Sequence, residues 1–206
     1  MTAAANTSGA PKRVLILHGW TNRRQEGNWH RILVSALRHQ GHQVLYPQFP
    51  STDNPTLEDW QDLLLAELDL LHEAGPGETV VIGHSLGCVN FIHAAVEGKI
   101  AKPIDRLLFV APADPKLLGE IRGLKVSLNK AATKDALNSV VGELTIIGSD
   151  ADAWTPDGIQ ETFGSPLGVE AIVIEGAGHF KGDEGWGKWQ GLLDWVNDPS
   201  ADIKVR

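Results

Sequence analysis

Apolar runs too short for helices recur along the chain: Val14 to Leu17, Gln43 to Tyr46, Thr79 to Ile82, Leu107 to Val110, Leu144 to Ile147 and Ala171 to Ile174. Runs of this length, rich in β-branched residues and apolar on both faces, predict buried strands. Between them the apolar positions follow a helical period. The spacing predicts helices at about Trp29 to Gln40, Thr56 to Glu73, Leu86 to Glu97, within Lys130 to Val140, at about Pro156 to Phe163, and at Trp186 to Val196. The second is the best defined. Leu57, Trp60, Leu64, Leu68 and Leu71 share one face, Asn54-Pro55 suits a cap and first turn, and Gly75 suits a stop. Alternation of this kind predicts an α/β domain, a three-layer α/β/α sandwich around a parallel sheet. Right-handed crossovers then put the first and third strands side by side.

Length and composition add bounds. With 206 residues the chain is long enough for one substantial core, and residues 13–206 read as a single domain. Residues 1–12, small and polar without an apolar segment, read as a disordered tail rather than a signal peptide. No stretch has membrane-spanning length, and the single cysteine, Cys88, excludes an intramolecular disulfide, so the chain reads as cytoplasmic. Lys and Arg number 18 against 26 Asp and Glu, a net charge of −8 that argues against nucleic acid as a partner. Metal-site spacings and phosphate loops are missing, so neither metal nor cofactor is expected.

The chemistry lies in Gly83-His84-Ser85-Leu86-Gly87, which follows one predicted strand and opens a predicted helix. That context turns Gly-x-Ser-x-Gly into a nucleophile elbow, a sharp turn that lifts a serine clear of the sheet. Crowding around the turn explains glycine two positions to either side. The Leu86 amide at the start of the helix points where an oxyanion would form. The loop after strand one, His18-Gly19-Trp20-Thr21-Asn22, would face the elbow, and the Trp20 amide is the expected second donor.

A serine needs a base. Of eight histidines, His179 follows the last strand in Gly176-Ala177-Gly178-His179-Phe180 and so emerges at the same sheet edge as Ser85. His18 and His84, in the motif loops, are expected to turn into the scaffold. The orienting carboxylate should follow the preceding strand, where Asp150 and Asp152 are the candidates. Asp152, opening Asp-x-x-x-Pro, is favoured, with Asp150 reserved for capping or turning its own loop. Trp20, Trp29 and Trp154 lie on predicted edge loops and are candidates for an apolar pocket wall; Cys88, facing the scaffold, reads as a buried thiol.

Taken together these residues resemble the α/β-hydrolase superfamily, and within it the small lidless serine hydrolases of the YdeN and retinoblastoma-binding protein nine type. The resemblance is carried by LHGW near the start, Asn54-Pro55 with Leu57-Glu58-Asp59-Trp60, GHSLGC, the aspartate loop ending at Pro156, and Gly178-His179-Phe180 followed by acidic residues and Trp186. It implies six parallel strands in order 2-1-3-4-5-6, a catalytic triad of Ser85, Asp152 and His179, and no large lid within residues 111–142. Ala153 departs from the pattern, because such loops often carry another residue after the aspartate. A carboxylesterase-type serine hydrolase acting on small ester or related acyl substrates is the expected function. The alternative is a hydrolase-fold scaffold that binds a protein partner with weak or vestigial turnover.

Overall fold

The computed structural model describes residues 10–118 and 130–206. Most of the expected tail, residues 1–9, and part of the segment where a lid would sit, residues 119–129, lie outside the described residues. Six strands form one sheet: β1 (Arg13–Leu17), β2 (Gln43–Leu45), β3 (Thr79–His84), β4 (Ile104–Val110), β5 (Val141–Ser149) and β6 (Ile172–Ile174). Their order is β2-β1-β3-β4-β5-β6 and every pairing is parallel, as expected.

Both faces of the sheet are covered, because side chains alternate along each strand. Leu15, Leu17 and Val81 point into one core with α2 (Leu57–Glu73), α3 (Leu86–Val96) and α4 (Lys130–Val140). Val14, Ile16, Val80 and Ile82 point into the other, with α1 (Trp29–His39) and α6 (Gln190–Asn197). The α2 stripe is buried as its spacing requires, with Trp60, Leu64 and Leu71 fully enclosed. Its cap is Thr56, whose hydroxyl accepts from the Asp59 amide at 3.2 Å, rather than the expected Asn54.

Two other helices begin later than their patterns predict, and both delays bear on the site. Instead of starting near Pro156, helical backbone runs from Gln160, a short wide turn leading into α5 (Ser165–Leu167). Gly158 sits at φ +85°, so the chain turns there and cannot be α-helical. Similarly α6 starts at Gln190 rather than Trp186. The indoles of Trp186 and Trp189 are buried and donate to the carbonyls of Ala177 and Ile203, at 2.8 and 2.7 Å, anchoring the irregular chain that precedes the helix. A helical reading of their apolar spacing mistook two loop anchors for a helix face.

Registry brings the functional loops to one rim. Leu17 pairs with Gly83, His84 with Val110, Val110 with Ile147 and Ser149 with Ile174, so the loops after β1, β3, β5 and β6 leave from the same edge.

Candidate active site

The elbow is a closely constrained turn. Ser85 adopts φ 53°, ψ −120°, a backbone conformation that residues with a side chain rarely take, held on one side by the hydrogen bond its amide donates to the Val110 carbonyl at 3.0 Å and on the other by α3. A Cβ on Gly87 would stand 2.7 Å from the carbonyl oxygen of His18 and 2.8 Å from that of Leu17, so the helix could not approach β1. At Gly83 the equivalent atom would meet Cys88 at 3.2 Å. The Cys88 thiol is wholly buried and burial pushes its pKa well up, which removes it as a thiolate nucleophile.

From Ser85 a continuous line of hydrogen-bonding groups leads inward. The Oγ is 2.8 Å from Nε2 of His179, and Nδ1 of that ring is 2.8 Å from Oδ2 of Asp152. The carboxylate only accepts, so Nδ1 carries the proton and Nε2 offers a lone pair to the hydroxyl. Asp152 is buried, and its other oxygen accepts the Trp154 amide at 2.9 Å. Both oxygens are therefore directed. Asp150 does something else: its Oδ1 accepts the Gly176 amide at 2.7 Å, tying the loop after β5 to the loop after β6.

Several side chains hold the histidine loop. Glu184 accepts from the amides of His179 and Lys181 through Oε2, at 2.8 and 3.0 Å. A Cβ on Gly178, at φ +64°, would come within 2.7 Å of that carboxylate. The Trp29 indole donates to the carbonyl of Phe180 at 2.9 Å, and Phe180 itself sits at φ 56°. Trp29 is only 1 % exposed. It is a core anchor of this loop and not the pocket wall expected of it, because its long indole reaches through the core to a backbone carbonyl. Glu184 escaped the sequence reading altogether; the acidic run after Gly178-His179-Phe180 was its only trace.

His84 completes the support, its Nε2 hydrogen donating to the His179 carbonyl at 2.9 Å. Burial, followed by the neighbouring His179, pushes its pKa down to about 3, so the ring is neutral. His18 is likewise turned inward: Nδ1 donates to the Gly19 carbonyl at 2.9 Å, while Nε2 accepts the Phe49 amide at 2.9 Å. Burial lowers its pKa to about 4.

Gly19 lies directly against the elbow, where a Cβ would stand 2.7 Å from that of Ser85. The next amide, Trp20, donates to no protein acceptor among the described residues, and Leu86, as the first residue of α3, has no intrahelical acceptor. A cleft of about 530 Å³ opens over Ser85 and His179, with Trp20, Gln25, Glu26 and Lys181 in its walls. Trp20 and Trp154 meet edge to face, ring centres 6.1 Å apart, and Trp154 lies equally far from the His179 ring. Among the described residues no cluster of three or more His, Cys, Asp or Glu could hold a metal ion, and no helix is long and apolar enough to cross a membrane.

A six-stranded parallel sheet covered by helices on both sides, with a strained serine at the tip of its third strand, is the α/β-hydrolase fold. Comparison with solved structures agrees. The ydeN gene product of Bacillus subtilis superposes with a TM-score of 0.72 at 22% identity, over 90% of this chain and 97% of that one. A monoacylglycerol lipase of Paleococcus ferrophilus gives 0.60 at 18% identity, over 91% and 95%. In sequence, YdeN of Bacillus subtilis strain 168 is 24% identical over 175 residues, 85% of this chain and 89% of its own. The model of the serine hydrolase family matches residues 14–197, and the chain belongs to that family.

Proposed function

We propose that this serine hydrolase cleaves small carboxylic esters through an acyl-enzyme, with Ser85 as nucleophile, His179 as general base and Asp152 as the group that orients and stabilises the imidazolium. The observation that carries this reading is the pair of 2.8 Å separations linking Ser85, His179 and Asp152 at a strained elbow. In the first half-reaction Oγ bonds to the substrate carbonyl carbon as its proton passes to Nε2. The amides of Leu86 and Trp20 receive the charge on the former carbonyl oxygen, each worth roughly 3 kcal/mol. Nε2 then returns the proton to the departing alcohol. Water repeats the sequence in reverse, releasing the acid and restoring the serine. The similar fold of a monoacylglycerol lipase supports an ester as substrate, and the Trp20–Trp154 pair offers apolar surface beside the reacting groups for a short acyl chain.

A fluorophosphonate probe tests the reading. The wild-type chain is expected to label at Ser85 and to hydrolyse p-nitrophenyl esters, while Ser85→Ala does neither. A folded wild-type protein that takes up no probe and turns over no activated ester across a series of acyl lengths would overturn it.

A further inference from the structure

Along α1 the molecule carries a second recess of about 570 Å³, which shares no lining residue with the Ser85 cleft. Arg23, Arg24, Arg31 and Arg38 line it, with Tyr46 and Gln48 below them, and no carboxylate contributes to its wall. On a chain whose net charge is −8, four guanidinium groups around one hollow concentrate positive potential that nothing in the wall offsets. Arg23 alone has an acidic partner, Asp53. Arg24, Arg31 and Arg38 pair with no carboxylate among the described residues.

The recess is built rather than incidental. Arg31 and Arg38, with Ser35 between them, recur at the helical spacing that puts all three on one face of α1. Arg38 is fixed by donation to the Val44 carbonyl at 2.7 Å. Arg24 stands on a left-handed residue, φ 59°, its amide bonded to Oδ1 of Asn22 at 2.7 Å, and its guanidinium lies 4.9 Å above the Tyr46 ring. Beneath it the Tyr46 hydroxyl is buried and has no hydrogen-bond partner, although the residue is only 6 % exposed. An unpartnered buried hydroxyl is costly, and a ligand oxygen that drew Arg24 aside would satisfy it.

We propose that this recess binds a low-molecular-weight phosphate compound, a phosphomonoester or polyphosphate, at a site separate from the Ser85 cleft. Planar guanidinium groups match phosphoryl oxygens in pairs, and several of them together favour an anion carrying more than one charge. The hollow is larger than one phosphate and within the range of small-molecule sites, so an organic or second phosphoryl group has room. Its concave form and the chain's net acidity favour a small ligand over a nucleic-acid backbone or an anionic membrane.

The test is calorimetric titration with sodium pyrophosphate, with sodium chloride of equal ionic strength as the control. Saturable one-to-one binding is expected for the wild type and equally for Ser85→Ala. Arg31→Gln, which removes an exposed side chain, is expected to weaken it roughly tenfold, and Arg24→Gln with Arg31→Gln further. Arg31→Lys, which keeps the charge and loses the fork, should fall between. Melting temperatures of the variants establish that they are folded. No saturable heat, equal affinity in wild type and Arg31→Gln, loss of binding in Ser85→Ala, or association only with phosphatidic acid vesicles would each overturn the proposal.

Discussion

The elbow and the histidine loop meet across 2.8 Å, yet they are held in opposite ways. Ser85 is positioned by its own backbone and close backbone packing: a strand that ends at His84, a helix that begins at Leu86, glycines at 83 and 87 that let backbones touch, and one hydrogen bond from its amide to the Val110 carbonyl. His179 is positioned by side chains, most of them far from it in the chain. Asp150, Asp152, Glu184, Trp29 and His84 each send a polar atom to its loop, four to backbone groups and one to the ring. The proposed nucleophile, in a strained turn, demands steric fit, whereas the proposed base, in an irregular loop, demands hydrogen bonds. Damage to the first should therefore show in folding, and damage to the second in rate.

The largest effect falls on the bond between the loop's ring and its carboxylate. Asp152→Asn is expected to lower kcat on the order of 10⁴-fold by disturbing the imidazole tautomer, while Asp150→Asn, whose carboxylate accepts from the Gly176 amide and the Ser149 hydroxyl and not from the ring, should cost far less; equal losses measured with a p-nitrophenyl ester would undo the assignment of the two aspartates. On the elbow side, Gly87→Ala puts a Cβ within 2.7 Å of a rigid carbonyl. Urea unfolding should register about 1–3 kcal/mol of destabilisation there, and less at Gly83→Ala, where the contact is 3.2 Å.

Acid gives a further test. Burial holds His18 and His84 neutral in the folded protein, with pKa values of about 4 and about 3 against 6.5 in the unfolded chain. As pH falls below 6.5 the unfolded chain takes up protons that the folded rings refuse. Stability is lost over that window by about 1.4 kcal/mol per pH unit for each ring, and His84→Gln should make the slope shallower by one proton. A slope unchanged by that substitution would show that His84 is not the neutral buried group assigned here.

Two smaller effects sharpen the contrast. Glu184→Gln weakens the hydrogen bonds that the His179 and Lys181 amides donate to it and is expected to lower kcat roughly tenfold, about 1.4 kcal/mol, with KM little altered. If stability fell as much as at Gly87 while kcat held, the loop would be a structural element like the elbow. Last, Trp29→Phe keeps the buried ring but removes the donor to Phe180, and calorimetric melting should show a loss of about 1 kcal/mol.

How far the site was legible follows from the same distinction. Gly83-His84-Ser85-Leu86-Gly87 could be read directly, because the glycine spacing and the strand-to-helix context that mark the turn lie within a few residues, even though it also packs against Leu17, His18 and Val110. Trp29 and Trp186 were misassigned for the converse reason. Apolar spacing says that an indole is buried, not that its N–H ends on Phe180 or Ala177, 151 and 9 residues away. Glu184 is an ordinary acidic residue until a folded loop puts two amides in front of it. Asp150 and Asp152 differ by one turn of irregular chain, and only the positions of the loops after β5 and β6 distribute their oxygens between Gly176 and His179.

The sequence by itself determined the α/β alternation, the parallel sheet and the elbow, since periodicity and local steric demand act over short stretches of chain. Tertiary structure decided which carboxylate meets which amide, which tryptophans anchor loops, and that four arginines gather around one recess. Those outcomes depend on where strand registry and helix packing bring distant backbone groups, and directional bonds between such groups leave no periodic trace in the chain.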